Sequence, residues 1–276
     1  MAALWLSGLS QRAIGSSLIT MTRLADRNRT RGAALGWPRR HASRVSLAFV
    51  KLERSLAHGY FPSEMPPSFS TTSFAAAAAG LTPVTGKSWT SPVRFSLART
   101  GGLRRATELP NPLAQLKLAS LCSNNWRELQ RLTARSPISL SRPVVGRYGS
   151  LRYRTTFGKR PQIAASRMPG GSSTLKTDVS QFYPSIYTHA VDWAVRGKAT
   201  AKKHMRVRHL GTLLDEALRE SRSGQTVGLS IGPETSWLAS EVLLARVDAA
   251  ICREFPQIAK RGFRFVHDMT FYSSSA

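Results

Sequence analysis

The run Asp178-Val179-Ser180-Gln181-Phe182-Tyr183-Pro184-Ser185-Ile186-Tyr187 decides how the rest of the chain is read. It continues Thr174-Leu175-Lys176-Thr177, a β-favouring stretch behind the turn residues Gly170 and Gly171, so the pattern predicts a buried strand ending at Asp178. Proline suits the first turn of a helix, which predicts a helix from about Pro184. An acid is thereby left at a strand tip, followed by two aromatic residues and a helix.

Two further stretches belong with it. Gly224-Gln225-Thr226-Val227-Gly228-Leu229-Ser230-Ile231-Gly232 reads as a glycine-punctuated loop. It delivers the chain to Pro233-Glu234, a proline and an acid suited to a helix start, and that helix continues to about Cys252. Near the end, Phe263 to Val266 and Met269 to Tyr272 are short apolar strands around His267-Asp268, the outline of a β-hairpin. Elsewhere the apolar period predicts a helix from Ser43 to His58, closed by Gly59, with Pro62, Pro66 and Pro67 enforcing an extended segment. The Ala75–Ala79 run is too short to argue from. A second helix starts after Pro110-Asn111-Pro112 and reaches Leu132, strand and turn alternate from Ser141 to Arg167, and a helix covers Leu210–Arg219. No internal repeat is evident.

The 276 residues carry 40 Lys and Arg against 15 Asp and Glu, a formal charge of +25. Such a surface repels itself unless a polyanion neutralises it, so nucleic acid is the first partner to consider. An acidic membrane surface is the weaker rival, because no amphipathic Lys-rich helix stands out, and no apolar run reaches the ~18 residues of a membrane span. From Arg142 to Leu210 the only acids are Asp178 and Asp192, amid many Lys and Arg. Cys122 and Cys252 define neither a disulfide framework nor a zinc site and read as small buried hydrophobes. Residues 1–42 are Arg- and Ser-rich with Asp26 as the sole acid, which is the composition of a mitochondrial presequence. A true start at Met21 or later explains them equally, and they are read as a basic, disordered extension.

Taken in order, the three motifs resemble the palm motifs of reverse transcriptases. Asp178 to His189 and Gly224 to Ser236 are each similar over more than ten residues to bacterial reverse transcriptases of the abortive-infection and defence-associated class. Gly59-Tyr60-Phe61-Pro62 and Pro110-Asn111-Pro112 look like further family features, so the resemblance spans roughly residues 43 to 276. It implies an α+β right-hand polymerase: fingers over 43–173, then a palm over 174–276 with an antiparallel sheet backed by helices. It implies RNA-directed DNA synthesis from deoxynucleoside triphosphates on an RNA template and a DNA primer, in the cytoplasm, in phage defence, without a membrane.

Nucleotidyl transfer needs two divalent cations, and Mg²⁺ prefers carboxylate oxygen, so acids must converge from neighbouring strands. Asp178 and Asp268 are the expected metal ligands and catalytic residues. The resemblance sets Tyr183 against the sugar 2′ position, although an aromatic packed in the core is the rival reading, and it sets Gln225, Gly228 and Gly232 against template and nucleotide. Arg152, Arg154, Lys159 and Arg160, read on basic strands, are candidates for phosphate or template contact; a solvated face is the alternative for each.

Two departures matter. His267 stands where the family has a metal-binding aspartate, and imidazole is a poor Mg²⁺ ligand that adds no negative charge. A zinc or histidine-base role finds no Cys or His nearby in sequence. The chain also stops eight residues past Asp268, before the family's thumb, which implies a fragment or a decayed gene product and leaves Met269–Tyr272 as an exposed sheet edge. Low polymerase activity is expected. The alternative is a catalytically inactive nucleic-acid-binding module. A basic ribosomal or organellar RNA-binding protein would explain the charge but not the ordered motifs.

Overall fold

A computed structural model describes residues 50–273 apart from 79, 84, 85, 147 and 206. The N-terminal extension and the first part of the helix expected from Ser43 lie outside the described residues. What is described is an α+β fold with small antiparallel sheets.

Helix α1 covers Leu52–Gly59. The proline segment after it is built from turns, with Met65 N–H donating to the Pro62 carbonyl and Phe69 N–H to that of Pro66, rather than running extended. The alanine run does form a helix, α2 (Thr72–Ala78), because Ala75 and Ala78 pack against Leu56 and Leu116 while alanine sacrifices little entropy. Strands β1 (Val93–Ala98) and β2 (Arg104–Leu109) form a hairpin that is not among the expected elements. One face, with Phe95, Leu97 and Thr107, is half-buried and the other is exposed, so the alternation Val93-Arg94-Phe95-Ser96-Leu97 was a signal the reading passed over. The expected long second helix is two helices, α3 (Pro112–Asn124) and α4 (Trp126–Thr133). The Asn111 side chain caps the first, and the chain leaves helical geometry at Asn125.

Strands β3 (Pro143–Val145) and β4 (Leu151–Tyr153) pair antiparallel. A 3₁₀ turn at Phe157–Lys159 then leads into α5 (Arg160–Arg167), so Lys159 and Arg160 are not on a strand as expected. Strand β5 (Ser173–Thr177) follows, then α6 (Phe182–Ser185), α7 (His189–Arg196), α8 (Lys198–Lys203) and α9 (Leu210–Glu220). The helix expected from Pro184 is therefore split, and Pro184 lies within a single short turn. Helix α10 (Glu234–Glu254), α11 (Pro256–Ala259), β6 (Phe263–Phe265) and β7 (Asp268–Ser273) complete the described chain.

The three-stranded sheet has the order β5-β7-β6, all antiparallel. Two expectations are corrected by it. The Met269–Tyr272 segment is not an edge, because β7 is the central strand. Strand β5 is not buried: as an edge strand it is exposed along its whole length, including Leu175. On the opposite side, Ile138–Leu140 exchanges backbone hydrogen bonds with Arg264 and covers the outer edge of β6.

The main core joins Leu118, Trp126 and Leu129 of α3 and α4 to Leu214 and Leu218 of α9, Leu238 and Val242 of α10, and Met269 and Phe271 of β7. Each such side chain contributes roughly 1.5–3 kcal/mol by leaving water. Both cysteines are buried and free, and among the described residues no helix is long and apolar enough to cross a membrane.

Glu234 locks α10 to α1. Its carboxylate accepts a hydrogen bond from the Ser55 hydroxyl, and its side chain fills the space a Cβ on Gly59 would need. Burial pushes the Glu234 carboxyl up to about 7, against the opposing hydrogen bonds from Ser55 and the Leu151 backbone. The folded state therefore holds a proton that the unfolded chain has released. Stability from this group is full below the ordinary pKa of 4.5 and is lost as pH rises through about 7. Urea unfolding from pH 4.5 to 8 is expected to show Glu234→Gln gaining, relative to the parent, on the order of 3 kcal/mol across that window. A parallel pH profile for both proteins would contradict it.

Candidate functional site

The ladder between β5 and β7 pairs Ser173 with Ser273 and runs to Thr177 opposite Met269. One residue further in the same register, Asp178 comes level with Asp268. Opposed residues of an antiparallel pair put their side chains on one face about 4.5–5.5 Å apart. Two acids far apart in sequence thus meet at the strand tips.

The hairpin from β6 to β7 turns on Val266 and His267, with Phe265 facing Asp268. Val266 has φ +54°, a left-handed conformation that a β-branched residue adopts only when its surroundings impose it. The imposing contacts are explicit. Its N–H donates to Ser141 Oγ at 2.7 Å and its carbonyl accepts from Arg264 Nη1 at 2.5 Å. Arg264 is fully buried and forks onto Glu241 (2.9 and 3.0 Å) and Asp248 (2.7–3.0 Å) of α10. Ser139 and Ser141 donate to Glu241, and Ser136 donates to Asp248. Burial works to lower the Arg264 pKa, but the two carboxylates outweigh it and hold the guanidinium above its ordinary value. Burial also pushes the Asp248 carboxyl up, with Arg264 opposing.

At the tip, His267 Nε2 lies 3.5 Å from Asp178 Oδ1, and its ring stacks on Phe182 with centroids 5.5 Å apart. His267 Nδ1 is buried and has no hydrogen-bond partner among the described residues. One ligand atom from each of Asp178, His267 and Asp268 falls within 4.8 Å of the others. Asp268 Oδ2 also accepts from Arg160 Nη1 at 3.1 Å. Arg160 is steadied by the faces of Phe157 and Phe265, 5.1 and 5.4 Å from its guanidinium carbon. The site is open: the side chains of Asp178 and Asp268 are 59% and 42% exposed.

Tyr183 follows Phe182 and is partly buried, its carbonyl accepting from Leu229 N–H at 2.9 Å. Burial pushes its hydroxyl up, opposed by a hydrogen bond with Ser240. The glycine loop lies along this segment, Gly228 N–H donating to the Ile186 carbonyl and Thr188 N–H to that of Thr226. Gly228 and Gly232 both have positive φ, and added Cβ atoms would meet the Pro184 carbonyl with Arg222, and Pro62, respectively. Their conformational freedom is used in packing the chain on itself. Gln225 sits in an exposed turn bonded to the Arg222 carbonyl. Of the basic candidates, Arg152, Arg154 and Lys159 are exposed, and Arg160 alone is seen in contact with a site carboxylate.

Sequence reading missed Arg105 of β2. It pairs with Glu64 at 2.5 Å and acts weakly on the Tyr153 and Tyr183 hydroxyls, which brings a cation from the hairpin into the neighbourhood of those two rings. Its only sequence signal was the Arg104-Arg105 pair. The Arg264 clamp was also missed, because its two acids lie in a helix read only for its start at Pro233-Glu234 and its extent to about Cys252.

No family model matches the chain, and no curated protein matches it. What the geometry offers is a solvent-facing set of two carboxylates and an imidazole able to hold a cation. Two Mg²⁺ ions do not fit it. One of the two carboxylates is already paired with Arg160, and the third donor is an uncharged nitrogen rather than a hard oxygen.

Arg264→Met leaves Glu241 and Asp248 buried without their cation. Urea unfolding is expected to show a loss of about 3–5 kcal/mol. A change below 1 kcal/mol would mean that the clamp does not hold the hairpin.

Proposed function

We propose that this chain is a reverse-transcriptase-type module, with fingers over 43–173 and a palm over 174–276, that binds RNA template, DNA primer and deoxynucleoside triphosphate while its own nucleotidyl transfer is strongly impaired. The observation that carries the reading is the register that brings Asp178 level with Asp268 at the tips of β5 and β7, within the motifs that resemble the family's.

The neighbouring residues suit the binding half of that task. Tyr183 is the exception: it packs against the main core with its hydroxyl buried, which favours the core reading of this ring over a contact with the sugar. The loop through Gln225, Gly228 and Gly232 packs against the same segment. Arg152, Arg154 and Lys159 are exposed cations on a chain of net charge +25, the electrostatics that draw a polyanion. The chemical half is not supported to the same degree. A transfer step needs a dense carboxylate site to assemble two cations, whereas here His267 replaces an acid and Arg160 neutralises another. We therefore assign no transfer step to these residues. A silent nucleic-acid-binding module is the limiting form of this reading, and the Arg160–Asp268 pair favours it. Cytoplasmic phage defence is the setting the family resemblance implies.

Filter binding and primer extension on one RNA–DNA primer–template test the proposal together. Binding is expected to be strongly salt-dependent, its slope falling by about one for each removed phosphate contact among Arg152, Arg154 and Lys159. Incorporation with Mg²⁺ is expected to be near background and to rise on His267→Asp. Absence of binding at low salt would sink the reading, and robust incorporation by the parent chain would overturn the claim of impairment.

A further inference from the structure

We infer that Asp178, His267 and Asp268 form a one-ion site for a borderline-soft transition-metal cation, with Zn²⁺ the best fit, in place of a two-magnesium centre. The inference takes its location from the palm reading, but its chemistry comes from the donor set alone.

Geometry is the first ground. A tetrahedral Zn²⁺ with bonds of about 2.0–2.2 Å holds its ligand atoms roughly 3.3–3.5 Å apart. His267 Nε2 and Asp178 Oδ1 already stand 3.5 Å apart. The Asp268 oxygen belongs to the same cluster, within 4.8 Å of both, so the third ligand needs only a small inward movement. The donors come from three places the backbone brings together: the residue after β5, the clamped turn, and the first residue of β7. The stack on Phe182 fixes the imidazole plane.

Charge is the second ground. Asp178 and Asp268 supply two negative charges and Arg160 returns one positive charge, so a single dication is accommodated and a second would lie in net positive surroundings. Donor type is the third. Imidazole suits zinc and its neighbours, while Mg²⁺ requires a near-octahedral shell of oxygen. The exposure of Asp178 and Asp268 leaves a coordination position facing solvent, open to water or a phosphate oxygen. The free Nδ1 of His267 lacks the second hydrogen bond that usually steadies a ligating imidazole, which sets the affinity below that of a fully built zinc centre.

Calorimetric titration of the whole chain with Zn²⁺, Mn²⁺ and Mg²⁺ salts, without nucleic acid, tests the inference. One equivalent of Zn²⁺ is expected to bind, more tightly than Mn²⁺ and far more tightly than Mg²⁺. Asp178→Asn and His267→Ala should each weaken Zn²⁺ by at least about tenfold. Arg160→Gln should strengthen it by freeing Asp268, an effect that loss of structure would not produce. His267→Asp should shift preference toward Mg²⁺. Should His267→Ala fail to fold, Asp178→Asn changes only an exposed side chain and still reports. Zn²⁺ binding unchanged in both Asp178→Asn and His267→Ala, or Mg²⁺ binding as tight as Zn²⁺, would overturn the inference. Filter binding of primer–template by the same preparation separates the two ideas. Zn²⁺ bound at this site without nucleic-acid binding counts against the palm reading alone, and the reverse counts against the metal site alone.

Discussion

Thr177 faces Met269 across the ladder between β5 and β7, and the next step of that ladder brings Asp178 beside Asp268. Side chains alternate faces along a strand, so a slip of one residue would send one carboxylate to the other side of the sheet. Strand β5 is an exposed edge and cannot enforce its register by burying an apolar face. The enforcement comes from β7, whose Met269 and Phe271 are anchored in the main core, and from the hairpin tip, which Arg264 ties to Glu241 and Asp248. The left-handed Val266 is the local cost of that arrangement, and the two hydrogen bonds to its backbone hold it there.

The electrostatics divide the molecule into two regimes. Over the whole sequence, cations outnumber acids by far, 40 Lys and Arg against 15 Asp and Glu. Inside, buried ions are paired: Arg264 with two carboxylates, Asp192 with Arg196, Asp215 with His189 and Arg219, while Glu234 is met by hydrogen bonds alone. The strand tips lie between these regimes. Their carboxylates are open to solvent, yet Arg160 and His267 already attend them, so less negative charge is left there for a cation. On the proposed reading, binding of nucleic acid and catalysis on it would depend on different residues and could be lost separately.

Some of this was legible in the residues. The glycine loop, the start of α10 at Pro233-Glu234 and the apolar segments around His267-Asp268 carry local signals that tertiary structure did not override. The convergence of Asp178 with Asp268 came from motif order, since no local property of either aspartate reports its partner. Other features had a weak local signal or none. The β1–β2 hairpin does alternate, through Val93, Phe95 and Leu97, but over so short a run between glycine- and proline-rich stretches that it was overlooked. Helix α2 depends on Leu56 and Leu116, which lie in other helices. Arg160 looked like one more cation in a basic run until α5 carried it to Asp268. The exposure of β5 could not be read either, because Thr174, Leu175 and Thr177 favour a strand while its burial depends on which strand neighbours it.

The closeness of positions 178 and 268 underlies the whole site, and a cross-link measures it. Directly opposed residues have Cα atoms about 4.5–5.5 Å apart, inside the roughly 4.4–6.8 Å that a disulfide spans. Cys122 and Cys252 are buried and do not compete. In the D178C/D268C double variant, mild oxidation of the folded protein is expected to form an intramolecular disulfide rapidly, and oxidation in urea far more slowly. If the folded protein forms no such link while both introduced thiols remain open to alkylation, the two positions are not neighbours and the site does not exist.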